Sequence, residues 1–319
     1  MEYHKPAAQW NIFGIPDFES YCEKSVVKGL FHKSVPKDVV DAYEVAEYMM
    51  AHAYYHYPLY EEAFSKLLRI TEMAVKLRCK ELGIDLTATK IVKNKPVVVD
   101  KNFNSLINEL SSKEPLKNIK AGLHWLREKR NSHMHPDSHT YMGSMTYGII
   151  KVGVTVLNKI FIPEQNLLSF RNQLATIQTH LSSFNQGPSV FIKKGYLIER
   201  IEVRDALQIN GKWFYFVLIH PITDQIAVQI EKNDQVPPET FVVDEFFLDA
   251  EKLTMRDVNT TETITCYRTT KPENIATYNL FITERNAAEA NIIRFSFIPG
   301  DMPVGKHNDF LYEWLWKVA

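Results

Sequence analysis

Along roughly the first 185 residues, apolar side chains recur every three to four positions, the period of an amphipathic helix. Ser34-Val35-Pro36 reads as a cap followed by a first-turn proline. The helix it opens, Asp38 to Tyr57, carries Val40, Tyr43, Val45, Ala46, Met49, Met50 and Ala53 and ends before Pro58. Leu59 to Leu82 is a second helix, with Phe64, Leu67, Leu68, Ala74, Val75 and Leu77 apolar and Gly83 as its stop. Asp85 to Lys101 reads as a long loop. Further helices are expected at Phe103–Leu110, Leu116–Met134, Tyr141–Phe161 and from Pro163 to near Phe184. The Tyr141–Phe161 stretch is apolar nearly all round. A lysine at its centre, Lys151, would cost ~2.5–3.5 kcal/mol in a bilayer, so the stretch reads as a buried bundle helix and not as a membrane span. Gly143, Gly148 and Gly153 point to close packing around it, and apolar surface that one bundle cannot cover would form a dimer interface.

Beyond Asn185-Gln186-Gly187-Pro188 the period changes to short β-branched and aromatic runs bounded by turn residues. Strands are expected at Ser189–Lys194, Leu197–Val203, Trp213–His220, Gln225–Glu231, Phe241–Leu248, Thr263–Thr269, Ala276–Thr283 and Ile292–Ile298. Asn210-Gly211 is a two-residue hairpin signal. The final aromatic run, Phe310 to Trp316, is expected in a core as an amphipathic helix or a last strand. The fold class is therefore multidomain α plus β: an N-terminal extension over residues 1–35, an all-α bundle over 36–186, and a mainly antiparallel β domain, sheet or small barrel, over 187–319.

The 319 residues are 45% hydrophobic and 24% charged, enough apolar material for two cores, which excludes disordered and fibrous classes. Lys+Arg 37 against Asp+Glu 38 leaves a net charge of −1, so no global field attracts nucleic acid or membrane. The charge is divided, with a net of +4 on residues 1–186 and −5 on 187–319. Within the first half Lys113, Lys117, Lys120, Arg127, Lys129 and Arg130 face only Glu114 and Glu128 in sequence. Taken alone, that run reads as a solvated helix face. Three widely spaced cysteines, Cys22, Cys79 and Cys266, support neither a disulfide framework nor a zinc site, and the first ten residues lack the form of a secretory signal; a reducing cytoplasm is the expected setting.

The chemistry concentrates at Leu123 to Asp137. The stripe Leu116, Ile119, Leu123, Leu126 continues onto Arg130, which places a permanent cation at a core-facing position where it needs a partner or an anionic ligand. Asn131 and His135 are four residues apart, and Pro136 disfavours helix at His135, so the imidazole would project from a helix end. A guanidinium fork can hold phosphate oxygens, and a histidine near pKa ~6.5 can take a proton from a 2′-hydroxyl or return one to the leaving oxygen. No metal is required for that chemistry.

Arg130-Asn131-Ser132-His133-Met134-His135 resembles the R-N-x-x-x-H motif of the HEPN (higher eukaryotes and prokaryotes nucleotide-binding) superfamily, and Leu67-Leu68-Arg69-Ile70-Thr71-Glu72 resembles an earlier helix of that family. The resemblance covers about residues 36–184. It implies an all-α bundle that dimerises with two motifs facing one another, and a metal-independent, cofactor-free endoribonuclease of a toxin, phage-defence or RNA-processing system. On it, Arg130 would bind phosphate, Asn131 would lie beside it and His135 would be catalytic. Our own reading adds Glu72, on the stripe Leu68, Glu72, Val75, Cys79, as a partner for Arg130, His133 as a supporting residue, and Lys120, Arg127 and Lys129 as RNA contacts. Expected partners are RNA, a second copy of the chain, and an antitoxin or regulatory protein, with no membrane and no bound metal.

Three other readings stand beside it. The module could be non-catalytic, binding RNA or nucleotide or acting only through protein contacts. Arg130 could snorkel and His135 merely cap a helix. His124, His133, His135 and His139 could ligate a metal, although Asp137 is the only nearby carboxylate.

Overall fold

The computed structural model describes residues 4–134, 146–222, 238–292 and 301–318. The chain divides into two compact units, one of residues 1–167 with 312–317, the other of residues 168–311.

The first unit is helical: α1 (Gln9–Ile12), α2 (Phe18–Ser25), α3 (Lys37–His52), α4 (Leu59–Glu81), α5 (Phe103–Ser111), a 3-10 turn at Leu116–Ile119, α6 (Lys120–Met134) and α7 (Tyr147–Phe161). Between α4 and α5 the expected loop is instead an antiparallel hairpin of β1 (Thr87–Val92) and β2 (Lys95–Asp100). Helix α4 is the central element and packs against α3, α5, α6 and α7. Its Tyr60, Phe64, Leu67, Leu68, Ala74, Val75 and Cys79 are buried, a stripe repeating every three to four residues. Residues 1–35 supply Trp10, Tyr21, Val26 and Val27 to the same core, where Trp10 Nε1 donates to Ala53 O at 2.9 Å and Tyr21 Oη to Met50 O at 2.5 Å.

Helix α7 is covered within its own chain. Nine of its fifteen residues are buried, and a Cβ on Gly153 would lie 2.5 Å from Leu67 Cδ2, so glycine permits the close approach of α7 to α4. Lys151 lies against the rings of Tyr147 and Tyr312, at 4.8 and 5.2 Å. Over Tyr147–Phe161 most of the helix's apolar surface is therefore covered by packing within the chain, while residues 141–145 of the expected helix lie outside the described residues. Buried Asn158 accepts from His32 N at 3.0 Å and donates to Leu30 O at 2.7 Å, satisfying the 30–32 segment where it crosses this helix.

The second unit begins within α8 (Glu164–Phe184) and contains β3 (Ser189–Phe191), β4 (Tyr196–Ile209), β5 (Lys212–Ile222), β6 (Glu239–Leu248), β7 (Lys252–Asp257) and β8 (Thr263–Arg268), then α9 (Pro272–Ile292) and α10 (Asp301–Trp314), which runs on into the first unit. Successive strands pair antiparallel and β3 pairs with β8, closing a six-stranded barrel. Asn210 and Gly211 both take positive φ, 51° and 78°, the two-residue hairpin expected between β4 and β5. The barrel core combines Ile201, Val203, Val217, Ile219, Val243, Leu253 and Cys266 with Ile177, Leu181 and Phe184 of α8.

One expected strand is corrected: Ala276–Thr283 lies inside α9. The expected strand Ile292–Ile298 falls, apart from Ile292 at the end of that helix, outside the described residues. The types Ile275, Tyr278, Phe281 and Ile282 favour strands, but their three- and four-residue spacing is helical, and the spacing prevails. Strand β7 has no counterpart among the expected strands, and Gln225–Glu231 lies outside the described residues. The final aromatic run is helical, with Phe310, Leu311, Tyr312 and Leu315 buried. No helix among the described residues is long and apolar enough to cross a membrane.

Candidate functional site

Helix α6 delivers the motif. Leu123 and Leu126 are buried, and Arg130, one turn beyond Leu126, follows them toward α4 and α5. There Arg130 Nη2 meets Glu72 Oε2 at 2.8 Å, with the two side chains 29% and 20% exposed, so the pair is only partly hydrated. The other carboxylate oxygen of Glu72 holds Lys76 Nζ at 2.9 Å. The guanidinium carbon of Arg130 sits 6.0 Å from the centre of the Phe103 ring at the start of α5. Its Nη1 reaches Asn131 Oδ1 at 3.5 Å, a long contact, and its buried Nε has no hydrogen-bond partner among the described residues. One edge of the fork is therefore fixed by a carboxylate, while N–H groups elsewhere on it retain capacity for an anion.

Beside the pair lies a groove of about 340 Å³ lined by Arg69, Glu72, Lys76 and Lys80 of α4 and by Leu86, with Glu72 the only acid among its described lining residues. Its cations outnumber its carboxylate, so the groove favours an anion. Arg69, Lys76 and Lys80 recur at intervals of seven and four, one helix face, a basic stripe visible in the spacing of the sequence alone. Phe103 had no sequence signal, because its contact to Arg130 is made only by the fold.

The three expected RNA contacts do not share a face. Lys120 and Arg127, seven residues apart, lie on the α5 side of the helix, where Arg127 Nη1 donates to Asn104 Oδ1 at 2.6 Å and His124 Nε2 lies 3.3 Å from Asn108 Oδ1. Burial, and then the charges of Arg127 and Lys120, hold the His124 imidazole below its ordinary pKa. Lys129 instead follows Trp125 by one turn and lies 5.8 Å from that ring. Asn131 is exposed. The side chain of His133, and His135 and His139 entirely, lie outside the described residues. Among the described residues, no three His, Cys, Asp or Glu side chains converge as a metal site.

Comparison with family models, curated proteins and solved structures returns no match.

Proposed function

We propose that the chain is a metal-independent endoribonuclease of the HEPN type, cleaving RNA by attack of the substrate's own 2′-hydroxyl. The observation that carries this reading is the Arg130–Glu72 pair, joining the two sequence segments on which the resemblance rests and holding a guanidinium beside a basic groove. In this scheme Arg130 binds the scissile phosphate and the charge it gains in the transition state, Asn131 lies beside it, and His135 moves the proton between the 2′-hydroxyl and the leaving 5′-oxygen. Glu72 orients Arg130. His133 supports the site, and Lys120 and Arg127, which share a face of α6, contact the RNA backbone, while Lys129 lies on another side of the helix. Dimerisation, a toxin, phage-defence or RNA-processing role and an antitoxin or regulatory partner rest on the resemblance. A reducing, cytoplasmic setting suits the three free cysteines, two of which are buried.

One observation favours a second reading. Glu72 already occupies an edge of the Arg130 fork, which is also how a purely structural arginine is satisfied in a non-catalytic RNA- or nucleotide-binding module. Incubating purified protein with RNA in EDTA separates the two. The nuclease gives products ending in 2′,3′-cyclic phosphate, leaves DNA intact and is silenced by His135→Ala. Binding without cleavage selects the module, and a need for divalent ion revives the histidine metal site.

A further inference from the structure

The hairpin of β1 and β2 stands as a sheet of two strands, an arrangement that is marginal by itself in water. It is fastened at its foot, where Lys101 N donates to Leu86 O at 2.8 Å and Lys101 Nζ bonds Glu109 Oε2 at 2.7 Å. Beyond that foot it is open to solvent: Ile91 is 78% exposed and Val98 69%. The register pairs Lys90 with Val97 and Val92 with Lys95, so two lysines and two valines share one face, and Lys93 sits in the turn with φ 49°. From Leu86 to Val99 the chain contains three lysines and no carboxylate. None of the three forms an ion pair among the described residues. Leu86, the foot of the hairpin, also lines the groove that holds Arg69, Lys76, Lys80 and Glu72. A run of cations thus leads from the Arg130–Glu72 pair, along α4, to the root of a lysine-bearing arm.

We infer that this hairpin is an RNA-gripping arm: Lys90, Lys93 and Lys95 neutralise phosphates of the strand leaving the groove lined by Arg69, Lys76 and Lys80, and Val92 and Val97 lie against its sugars. The inference rests on the ribonuclease reading for the identity of the polyanion. Continuity with the groove, and the placing of cations and aliphatic groups on one face, favour a nucleic-acid backbone over a lipid surface, which would have to receive the uncharged face of Ile91 and Val98 as well.

The test uses the full chain and a labelled 2′-O-methyl RNA of mixed sequence, which cannot be cut by 2′-hydroxyl attack, with binding followed by fluorescence anisotropy across a salt series. Replacing Lys90, Lys93 and Lys95 together by Gln should weaken binding at least about tenfold at low salt and reduce the slope of log Kd against log salt by about 2, because each neutralised phosphate on a single strand contributes about 0.7. The matching triple Arg variant should keep the wild-type slope, and thermal melts of both variants check that the fold is intact. A slope unchanged by the Gln substitutions overturns the arm, as does loss of flotation with phosphatidylserine vesicles in place of loss of RNA binding. The two readings fail separately. An unchanged slope in a protein that cleaves unmodified RNA removes the arm and leaves the site, whereas a reduced slope in a protein that cleaves nothing removes the nuclease and leaves the arm.

Discussion

Arg130 on α6 reaches Glu72 on α4 at 2.8 Å, and the same carboxylate holds Lys76 at 2.9 Å on its other oxygen. One acid therefore organises two cations from different helices. Because both partners of the Arg130–Glu72 pair are partly exposed, its contribution to stability falls between those of a surface pair and a fully buried one.

Glu72→Gln should consequently lower stability by about 1–2 kcal/mol and leave Arg130 less well oriented. Arg130→Ala should cost a similar amount and reduce single-turnover RNA cleavage by about 10²–10³-fold. Arg130→Lys should restore the melting temperature better than the cleavage rate, because a point charge satisfies Glu72 without reproducing the fork. Melting curves and cleavage time courses read the two effects separately. A lysine variant that cleaves like wild type would make Arg130 a structural residue.

His32 makes the stability of the first unit depend on pH. Its Nδ1 accepts from Ser34 N at 3.3 Å, so its Nε2 carries the hydrogen donated to Asn158 O at 2.9 Å, the arrangement of a neutral ring. Burial outweighs that hydrogen bond and holds the imidazole below its ordinary value. The unfolded chain takes up a proton near pH ~6.5 while the folded chain resists it, so stability declines as pH falls below ~6.5 and is insensitive to this group above it. His220 in the second unit, held down by burial against the raising effect of Glu202, adds a decline of the same sign. Melting temperatures measured from neutral to mildly acidic pH should show a shallower fall in His32→Gln than in wild type, and equal falls would exclude His32 as a source.

Asp244 governs a more acidic range. Arg256 bonds it with two nitrogens, Nε at 2.9 Å and Nη2 at 2.8 Å, and Lys212 also reaches it. These hydrogen bonds, that of Arg256 foremost, outweigh burial and bring its carboxyl down to about 2. An unfolded aspartate titrates near ~3.9, so the stabilisation is complete above that pH and disappears as pH falls toward about 2. Asp244→Asn should flatten this acid limb in unfolding followed by tryptophan fluorescence. Acid limbs of equal steepness in the two proteins would show that the folded-state carboxyl is not depressed.

Gly153→Ala should destabilise the chain although alanine is the better helix former by about 1 kcal/mol. The new methyl would meet Leu67 Cδ2 at 2.5 Å, with Leu67 itself fully buried, and overpacking of this kind costs about 1–3 kcal/mol. Combining it with Leu67→Ala should give a loss smaller than the sum of the two single changes. Additive losses in chemical denaturation would show that the two residues do not press on each other.

The helices of the first unit from α3 onward are legible because their stripes are regular and several of their ends carry proline or glycine, whereas α1 and α2, four and eight residues long, are too short to show a period; the partnership of Glu72 with Arg130 is legible because each polar residue continues an apolar stripe. The hairpin between α4 and α5 was not. Its turn is Lys93-Asn94 with both residues at positive φ, where glycine usually gives the signal, and its strands do not alternate apolar with polar residues because neither face is buried. Strand β7, Lys252–Asp257, alternates in the expected way but is only six residues long, and its burial depends on neighbours far along the chain. The division of Lys120, Arg127 and Lys129 between faces was available from helical spacing alone.

Closure of the barrel has a bearing on how the protein is made. Strand β3 pairs with β4, adjacent in sequence, and with β8, whose last residue is Arg268; Thr269 N then donates to Pro188 O at 3.0 Å, so the chain leaves the barrel where it began it. On a ribosome the second unit cannot shut until β8 has emerged, and for that interval β3 presents an unpaired edge to other nascent chains. It is only three residues long, too short to template much pairing. The shortest strand of the barrel is thus also the one that must wait longest for its second neighbour.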